Sequence, residues 1–491
     1  MAANRKHWRR VAPLGSILLL WLAVSPVSAG ELEDRIRKLE AEQRAHAEQQ
    51  RANAEELARL KGEQMELKRE ATEAAAALPT FEHRPRSGLF IEAADKSWGL
   101  RFRGRLHYRL MFWPDNDDEE ALAQSGFSQG DLALRRWRTR INYFWDNRFY
   151  EFDMEIDGGA DRGLQIQHGE LHVHFEDLNP FLPTFTIGPR VSGFFNRHDT
   201  NWGSSTGGVF DRSMFQDGAG IGAGSQNNGI GLTWDDVPIG PGVMLFQAIY
   251  SNQGLTNIAS QERPNTDKRA VHIGWNLEPF SKLKNKWING IDLGVGYQLD
   301  RVHPDEDGRG FFRVRTTERQ RLRLIEVARD LDPESMRHYV TPGFGWRIGP
   351  YWLRASGGWN KGEFEDGRGV EGWMWRVVHE LFVWSPKGFL TGSVNAPGSL
   401  MLFGGFERDN YRAANNGLRN CNSVGGPCER AHASSANAGL WYFIQRGLRV
   451  GVEYGHYRVN KIGRGAGDLK NVDPGDSVKF NTLEFGITYD F

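Results

Sequence analysis

The chain has 491 residues, a formal net charge of -1, 25% charged and 12% aromatic residues, 58 glycines and two cysteines. Near-neutrality gives no reason to expect a nucleic-acid partner. Beyond residue 30 no apolar run approaches the roughly 20 residues that a spanning helix needs, so a membrane protein of this sequence would have to cross as a β-barrel, whose polar lumen positions keep mean hydropathy low.

Residues 1–29 combine a basic start (Arg5, Lys6, Arg9, Arg10), an apolar stretch from Leu14 to Val24 and the small residues Val27-Ser28-Ala29. This is the pattern of a secretory signal peptide, and it predicts a mature chain beginning at Gly30. Residues 30–78 are rich in Ala, Glu, Gln and Arg and free of Pro, with Gly62 the one interior glycine. They predict a helix. A heptad register places Leu32, Leu39, His46, Asn53, Leu60, Leu67 and Ala74 at d, and Ile36, Gln43, Gln50, Leu57, Gln64, Ala71 and Leu78 at a. The seam is apolar at both ends and polar in the middle, which fits a periplasmic coiled coil between tethered copies, with a lone solvated helix as the alternative. Pro79 and Pro85 then stop the helix, and residues 79–96 read as a linker.

Residues 97–491 read as the barrel. In WGLRFRGRLHYRLMFW, Trp98 to Trp113, even positions are mostly apolar and odd positions carry Arg101, Arg103, Arg105, His107 and Arg109. A period of two is a strand, and aromatics at both ends of its apolar face suit lipid, with the arginines turned to a wet lumen. The second segment sets Leu134, Arg136, Arg138 and Arg140 opposite Arg135, Trp137, Thr139, Ile141 and Tyr143. In the third, Glu151, Asp153, Glu155 and Asp157 alternate with Tyr150, Phe152, Met154 and Ile156. The fourth puts Glu170, His172, His174 and Glu176 against Leu171, Val173 and Phe175, and a short fifth runs from Thr184 to Gly188. Residues 191–228 are Gly- and Ser-rich and read as one long loop. Further strands follow at 229–234, 243–250, 270–277, 288–299, 338–346, 351–359, 372–384, 399–407, 436–446 and 448–457, with one more near Arg313. The last strand alternates Leu483, Phe485, Ile487, Tyr489 and Phe491 with Thr482, Glu484, Gly486, Thr488 and Asp490. The expectation is an all-β, antiparallel transmembrane barrel of about sixteen strands behind a helical coil.

The order of these features resembles the phosphate-selective porin O and P family. The resemblance rests on the signal, the coil, Gly99-Leu100-Arg101-Phe102-Arg103-Gly104-Arg105-Leu106, Arg135-Arg136, Asp211-Arg212-Ser213-Met214 and the terminal Phe491. It implies a sixteen-strand barrel, a homotrimer in the bacterial outer membrane and a basic pore that selects small anions, phosphate in the best-known members. One departure stands out: the family's Gly-Gln-Phe-Lys-x-Pro-Phe pattern is here Gly188-Pro189-Arg190-Val191-Ser192-Gly193-Phe194, without the lysine.

For the lumen two readings compete. Arg101, Arg103, Arg105, Arg109, Arg136, Arg138 and Arg140 face Glu151, Asp153, Glu155 and Asp157 on one side and Glu484 and Asp490 on the other, so they could form a cross-paired wall that only keeps the lumen wet. Arg190, Arg197 and Arg212 around the long loop, and the alternating Arg313, Arg315, Arg319, Arg321 and Arg323, of which the last three could instead lie on a helical loop, add positive charge and favour an anion pathway. His168, His172 and His174 with Glu170 and Glu176 sit at spacings a metal could use, but such pairs are common in wet lumens and no metal or cofactor is expected. A protease or phospholipase barrel would need a compact acid/His or Ser/His constellation; none is legible, so no enzyme is expected. Cys421 and Cys428 share a polar loop and, in an oxidising compartment, are expected to form a disulfide.

Overall fold

The computed structural model describes residues 29–84, 88–112, 131–159, 163–189, 228–252, 269–302, 313–315, 323–326, 335–363, 369–386, 397–414, 430–445, 447–460 and 477–491. The signal-peptide segment 1–28, the loop 190–227 and the cysteine loop 415–429 lie outside them. Residues 1–77 and 78–491 form two compact units.

In the first, α1 (Ala29–Ala77) is one unbroken helix of 49 residues. Straight-chain helix formers outweigh the single glycine, and i,i+3 and i,i+4 pairs such as Arg59 with Glu56 and Glu63 support its exposed face. Its seam leucines are open, Leu39 at 61% and Leu60 at 50% exposure. No helix among the described residues is long and apolar enough to cross a membrane.

In the second, two short strands, β1 (Thr80–Arg84) and β2 (Gly88–Glu92), precede β3 (Trp98–Phe112), β4 (Asp131–Trp145), β5 (Tyr150–Gly159), β6 (Gly163–His174), β7 (Thr184–Pro189), β8 (Asn228–Ile239), β9 (Gly242–Asn252), β10 (Arg269–Glu278) and β11 (Ile291–Val302). After the small pair β12 (Arg313–Arg315) and β13 (Arg323–Glu326) come β14 (Ser335–Ile348), β15 (Tyr351–Glu363), β16 (Gly369–Trp384), β17 (Ser399–Ala414), β18 (Arg430–Gln445), β19 (Leu448–Asn460) and β20 (Val478–Asp490). Each of β3–β11 and β14–β20 pairs antiparallel with its successor, and β20 returns to pair with β3. The result is a closed barrel of sixteen strands. Tight turns such as 240–241 and 349–350 lie at the end that holds Phe491, and the strand ends Phe112, Pro189 and Val302 lie at the other.

Three sequence expectations are corrected. Residues 79–96 are more than a linker: β1 pairs with β2, and β2 pairs with the first residues of β3 (Phe90 opposite Arg101) along the edge that β20 leaves open below Arg105. The strand at Arg313 is no barrel stave, since β12 and β13 form a separate two-stranded sheet. Leu134 does not share a face with Arg136. His107 stands opposite Arg136 but Tyr108 opposite Leu134, so Arg135 is a bulge that flips the alternation and turns Leu134 outward beside Tyr108.

The closing seam depends on a glycine. Gly104 and Phe491 exchange two backbone hydrogen bonds, at 2.7 and 2.9 Å, and the Phe491 ring lies over Gly104, where any Cβ would collide with it. Outside, the turn end is belted by stacked aromatics: Tyr143 on Trp145 (5.5 Å between centroids), Trp145 on Tyr150 (5.3 Å), and Phe149 edge-on to Phe175 (5.7 Å). Trp346 donates its indole N–H to Trp287 O at 2.8 Å, so its polar atom is satisfied while its ring stays on the surface.

Candidate functional site

The candidate site is the inner wall of the barrel. Residues directly opposite in an antiparallel ladder point to the same side, so the register fixes which charges meet. On β3 and β4, Arg103 stands opposite Arg140 and Arg105 opposite Arg138. Two like-charged pairs therefore form a strip two arginines wide. Carboxylates border it on both flanks: Asp490 opposite Arg105 on β20, Asp157 opposite Arg138 and Glu155 opposite Arg140 on β5.

The side chains use this arrangement closely. Arg105 pairs with Asp490, and Arg109 Nη1 reaches Glu484 Oε2 at 3.1 Å with both side chains 1% exposed. Arg138 is held between Glu155 (3.2 Å) and Asp157 (3.3 Å). Arg140 forks onto Asp153, one row below its direct neighbour Glu155. Arg101 lays its guanidinium 4.9 Å from the Phe90 ring centroid, so β2 supplies part of the wall beneath it. Of the ten arginines singled out in the sequence, Arg101, Arg103, Arg105, Arg109, Arg138 and Arg140 come together on this wall. Arg136 joins them by its ladder position opposite His107. Arg190, Arg197 and Arg212 lie outside the described residues, as do Cys421 and Cys428.

Next to the arginine strip, β5 and β6 bring histidines and carboxylates together. His172 Nδ1 bonds Thr186 Oγ1 at 2.9 Å, which leaves Nε2 3.7 Å from Glu170 Oε2. His174 sits between Glu176 (2.7 Å) and Glu151 (3.5 Å). Asp153, Glu170 and His172 offer atoms within 4.8 Å of one another that could hold a metal ion, although the Arg140 guanidinium already balances Asp153.

A second stretch of inner wall, separated from β3 by β19 and β20, is not visible in the alternation of the sequence. There the inner faces of β16–β18 carry a packed apolar cluster of Val378, Phe382, Met401, Phe403, Trp441 and Phe443. Its rings fit because the facing positions are glycines: a Cβ on Gly439 would strike the Phe403 ring, and one on Gly451 would strike Trp441. The Arg449 guanidinium covers Trp441 at 4.3 Å from its centroid. Buried ion pairs flank the cluster, Arg354 with Glu380 and Arg376 Nε with Glu407 Oε2 at 3.8 Å. These charges were legible, since Arg376, Glu380 and Glu407 alternate with outward residues just as the β3 arginines do. The apolar inner cluster was not, because alternation says which residues share a face and not which face is the inside.

No family model matches the chain, and no curated protein matches it in sequence. Among solved structures it is similar to OmpT, an outer membrane protein of Vibrio cholerae folded in vitro, at 12% identity over 80% of this chain and 98% of that one, with a TM-score of 0.50. It is equally similar to OmpF of Salmonella typhi in complex with daunomycin, at 12% identity, the same coverage and a TM-score of 0.50. At that identity the likeness is one of fold.

Proposed function

We propose that this chain is a bacterial outer-membrane porin, a water-filled channel for small solutes with a preference for anions, rather than an enzyme. The observation that carries the reading is the two-sided wall: a closed sixteen-strand barrel, apolar and aromatic outside, with the Arg103/Arg140 and Arg105/Arg138 rows on its inner face. Such a wall is at home with lipid on one side and water on the other. Phosphate as the preferred anion, and assembly as a homotrimer, follow from the resemblance to the phosphate-selective porin O and P family. The signal peptide (1–29) would direct export, the coil (30–78) would stand in the periplasm, and residues 97–491 would form the channel, with Cys421 and Cys428 joined in an extracellular loop.

Flanking carboxylates make the arginine strip a set of strongly held charges, and this sharpens the test. Replacing Arg101, Arg103 and Arg105 together with Gln keeps the wall polar but removes three positive charges and leaves Asp490 without its Arg105 partner. A unit charge about 4 Å from a permeating ion contributes roughly 4 kcal/mol at an effective dielectric constant of ~20, before screening. In a planar bilayer across a salt gradient, the wild type is expected to give an anion-selective reversal potential and the variant to lose much of it. The loss should be largest in dilute salt and shrink toward 1 M, where the Debye length falls to ~3 Å. An unchanged potential at low salt in a folded variant would make the strip a cross-paired wall and send the search for selectivity to Arg190, Arg197 and Arg212.

A second role is favoured by α1 itself. Its 49 residues extend about 73 Å at ~1.5 Å per residue, with Leu32, Ile36, Leu39, Leu57, Leu60 and Leu67 left exposed along one seam. We read this as the seam through which neighbouring copies bundle. Deleting residues 31–78 should leave conductance intact and lower the stability of the assembled oligomer; loss of conductance would place the helix in the channel's own working parts.

A further inference from the structure

On the inner faces of β16–β18 one charged side chain has no hydrogen bond to make. Asp409 of β17 is 0% exposed, and neither of its carboxylate oxygens has a hydrogen-bond partner. Its place in the ladder accounts for this. Directly opposite stand Met374 on β16 and Ala433 on β18, both buried, and neither side chain carries a hydrogen to donate. Arg408 and Asn410, its neighbours in the chain, alternate to the other face of the strand. One row toward the turn end, Arg376 stands opposite Glu407, with its Nε 3.8 Å from Glu407 Oε2. Arg376 is near enough to attract Asp409 as well, yet it makes no hydrogen bond to it. Glu407 and Asp409 are thus two buried carboxylates on one face of one strand, and the guanidinium beside them is set toward the first.

A carboxylate so placed has given up its water and received no donor in return, which is costly unless something else takes its lone pairs. We propose that Asp409 and Glu407 hold a divalent metal cation of the calcium class on the inner wall of the barrel. The two residues lie two apart on β17, ~6.6 Å between Cα atoms at ~3.3 Å per residue, a span that two carboxylates leaning together can close around one ion. Ser435, directly opposite Glu407 on β18, adds a hydroxyl oxygen in the same row. Oxygen donors alone select hard cations such as Ca2+ and Mg2+ over zinc or copper. Ca2+ is the better fit of the two: it accepts bidentate carboxylates in irregular geometry, whereas Mg2+ demands a near-octahedral shell and keeps several waters, for which a side chain so fully covered leaves little space. The acidic group on β5 and β6 is a poorer site. Asp153, Glu170 and His172 converge within 4.8 Å, but Arg140 already forks onto Asp153 and supplies the positive charge an ion would bring. No guanidinium is hydrogen-bonded to Asp409. The proposal needs only the closed barrel and stands whether or not the barrel conducts.

The test uses the full-length protein in detergent, stripped with EDTA and then equilibrated with Ca2+. Bound calcium per chain is counted by inductively coupled plasma mass spectrometry in the wild type, in Asp409→Asn and in Glu170→Gln. Asp409→Asn keeps the shape of the side chain and removes its charge, while Glu170→Gln disables the acidic group on β5 and β6. The wild type and Glu170→Gln should each retain about one Ca2+ per chain, and Asp409→Asn should bind it about tenfold or more weakly. The urea midpoint of the wild type should also rise with added Ca2+, fall back with EDTA and respond much less to equal Mg2+, a readout that does not depend on any variant folding. Retention by a folded Asp409→Asn together with loss by Glu170→Gln would place the ion on β5 and β6 and overturn the proposal. A wild type that binds no calcium and whose midpoint ignores it would overturn it as well, and Asp409 would then be held as the neutral acid.

Discussion

Two stretches of inner wall line the same barrel with opposite chemistry. Along β3–β6 the wall is a ladder of guanidinium, imidazole and carboxylate groups that satisfy one another across strands. Along β16–β19 it is aromatic, with Phe403 and Trp441 seated against Gly439 and Gly451 and ion pairs at the cluster's edges. In the first wall the charges are held in place by one another, each guanidinium set against a carboxylate of a neighbouring strand. The second has no such pairs at its centre and works by filling space. The two stretches therefore differ in what holds them, charge balance across strands in the first and close fit around glycines in the second.

The comparison can be broken most severely at a fully buried ion pair of the charged wall. Arg109→Gln leaves Glu484, 1% exposed, without its cation. Removing one partner of a buried pair costs about 3–5 kcal/mol, read as a fall in the urea midpoint of the detergent-solubilised protein, while Arg109→Gln/Glu484→Gln should recover most of it. A double variant as weak as the single would mean that the row is held by packing and that charge balance matters little. On the other wall, Trp441→Ala removes a fully buried ring and should cost about 3 kcal/mol through the cavity it leaves. Here no charge reversal should rescue it.

The contrast also bears on what the sequence could reveal. Sixteen strands were readable because apolar and polar residues alternate through each of them, and the β3 arginines were placed inward because Trp98 and Phe112 bracket an apolar opposite face. The strand at Arg313 was misjudged for the same reason: alternation appears in any extended pair, in the barrel or out of it. Leu134 was placed on the wrong face because a bulge leaves no mark in composition, and β2 was missed because five residues after a proline carry too little pattern to outweigh a linker. The aromatic wall was hidden more deeply. Phe403 and Trp441 fit on the inner face because the residues opposite them on the neighbouring strands, Gly439 and Gly451, leave room for their rings.

Those glycines sharpen the comparison at smaller scale. Gly451→Ala places a Cβ against Trp441 and the Leu440 carbonyl and should cost about 1–3 kcal/mol through overpacking. Gly404→Ala, where the nearest atom would be Asn437 O at an ordinary 3.5 Å, should be near neutral or slightly stabilising because a strand glycine is entropically costly. Equal midpoints for the two variants would show that the seat under Trp441 is slack and that the aromatic wall is held by something other than close fit.

A small and salt-sensitive effect is expected where the charged wall meets water at the turn end. Arg148, in the turn between β4 and β5, reaches back to Glu92 of β2 at 2.7 Å, and its guanidinium also lies 4.7 Å from the Phe144 ring centroid. Geometrically this pair is better than Arg109 with Glu484, yet its side chains are 57% and 22% exposed. Water already solvates both partners, so little desolvation cost is left to be exposed by removing one, and the attraction is screened. Exposed pairs of this kind contribute about 0.2–1 kcal/mol. Glu92→Gln should therefore lower the urea midpoint only slightly, and 1 M salt should abolish the difference because the Debye length shrinks to ~3 Å. The Arg109→Gln deficit should persist in the same salt, since ions cannot enter the space around a side chain so closely covered. If both deficits vanished together at 1 M salt, Arg109 and Glu484 would have to be reached by solvent ions, and the inner wall would be held by weak surface pairs throughout.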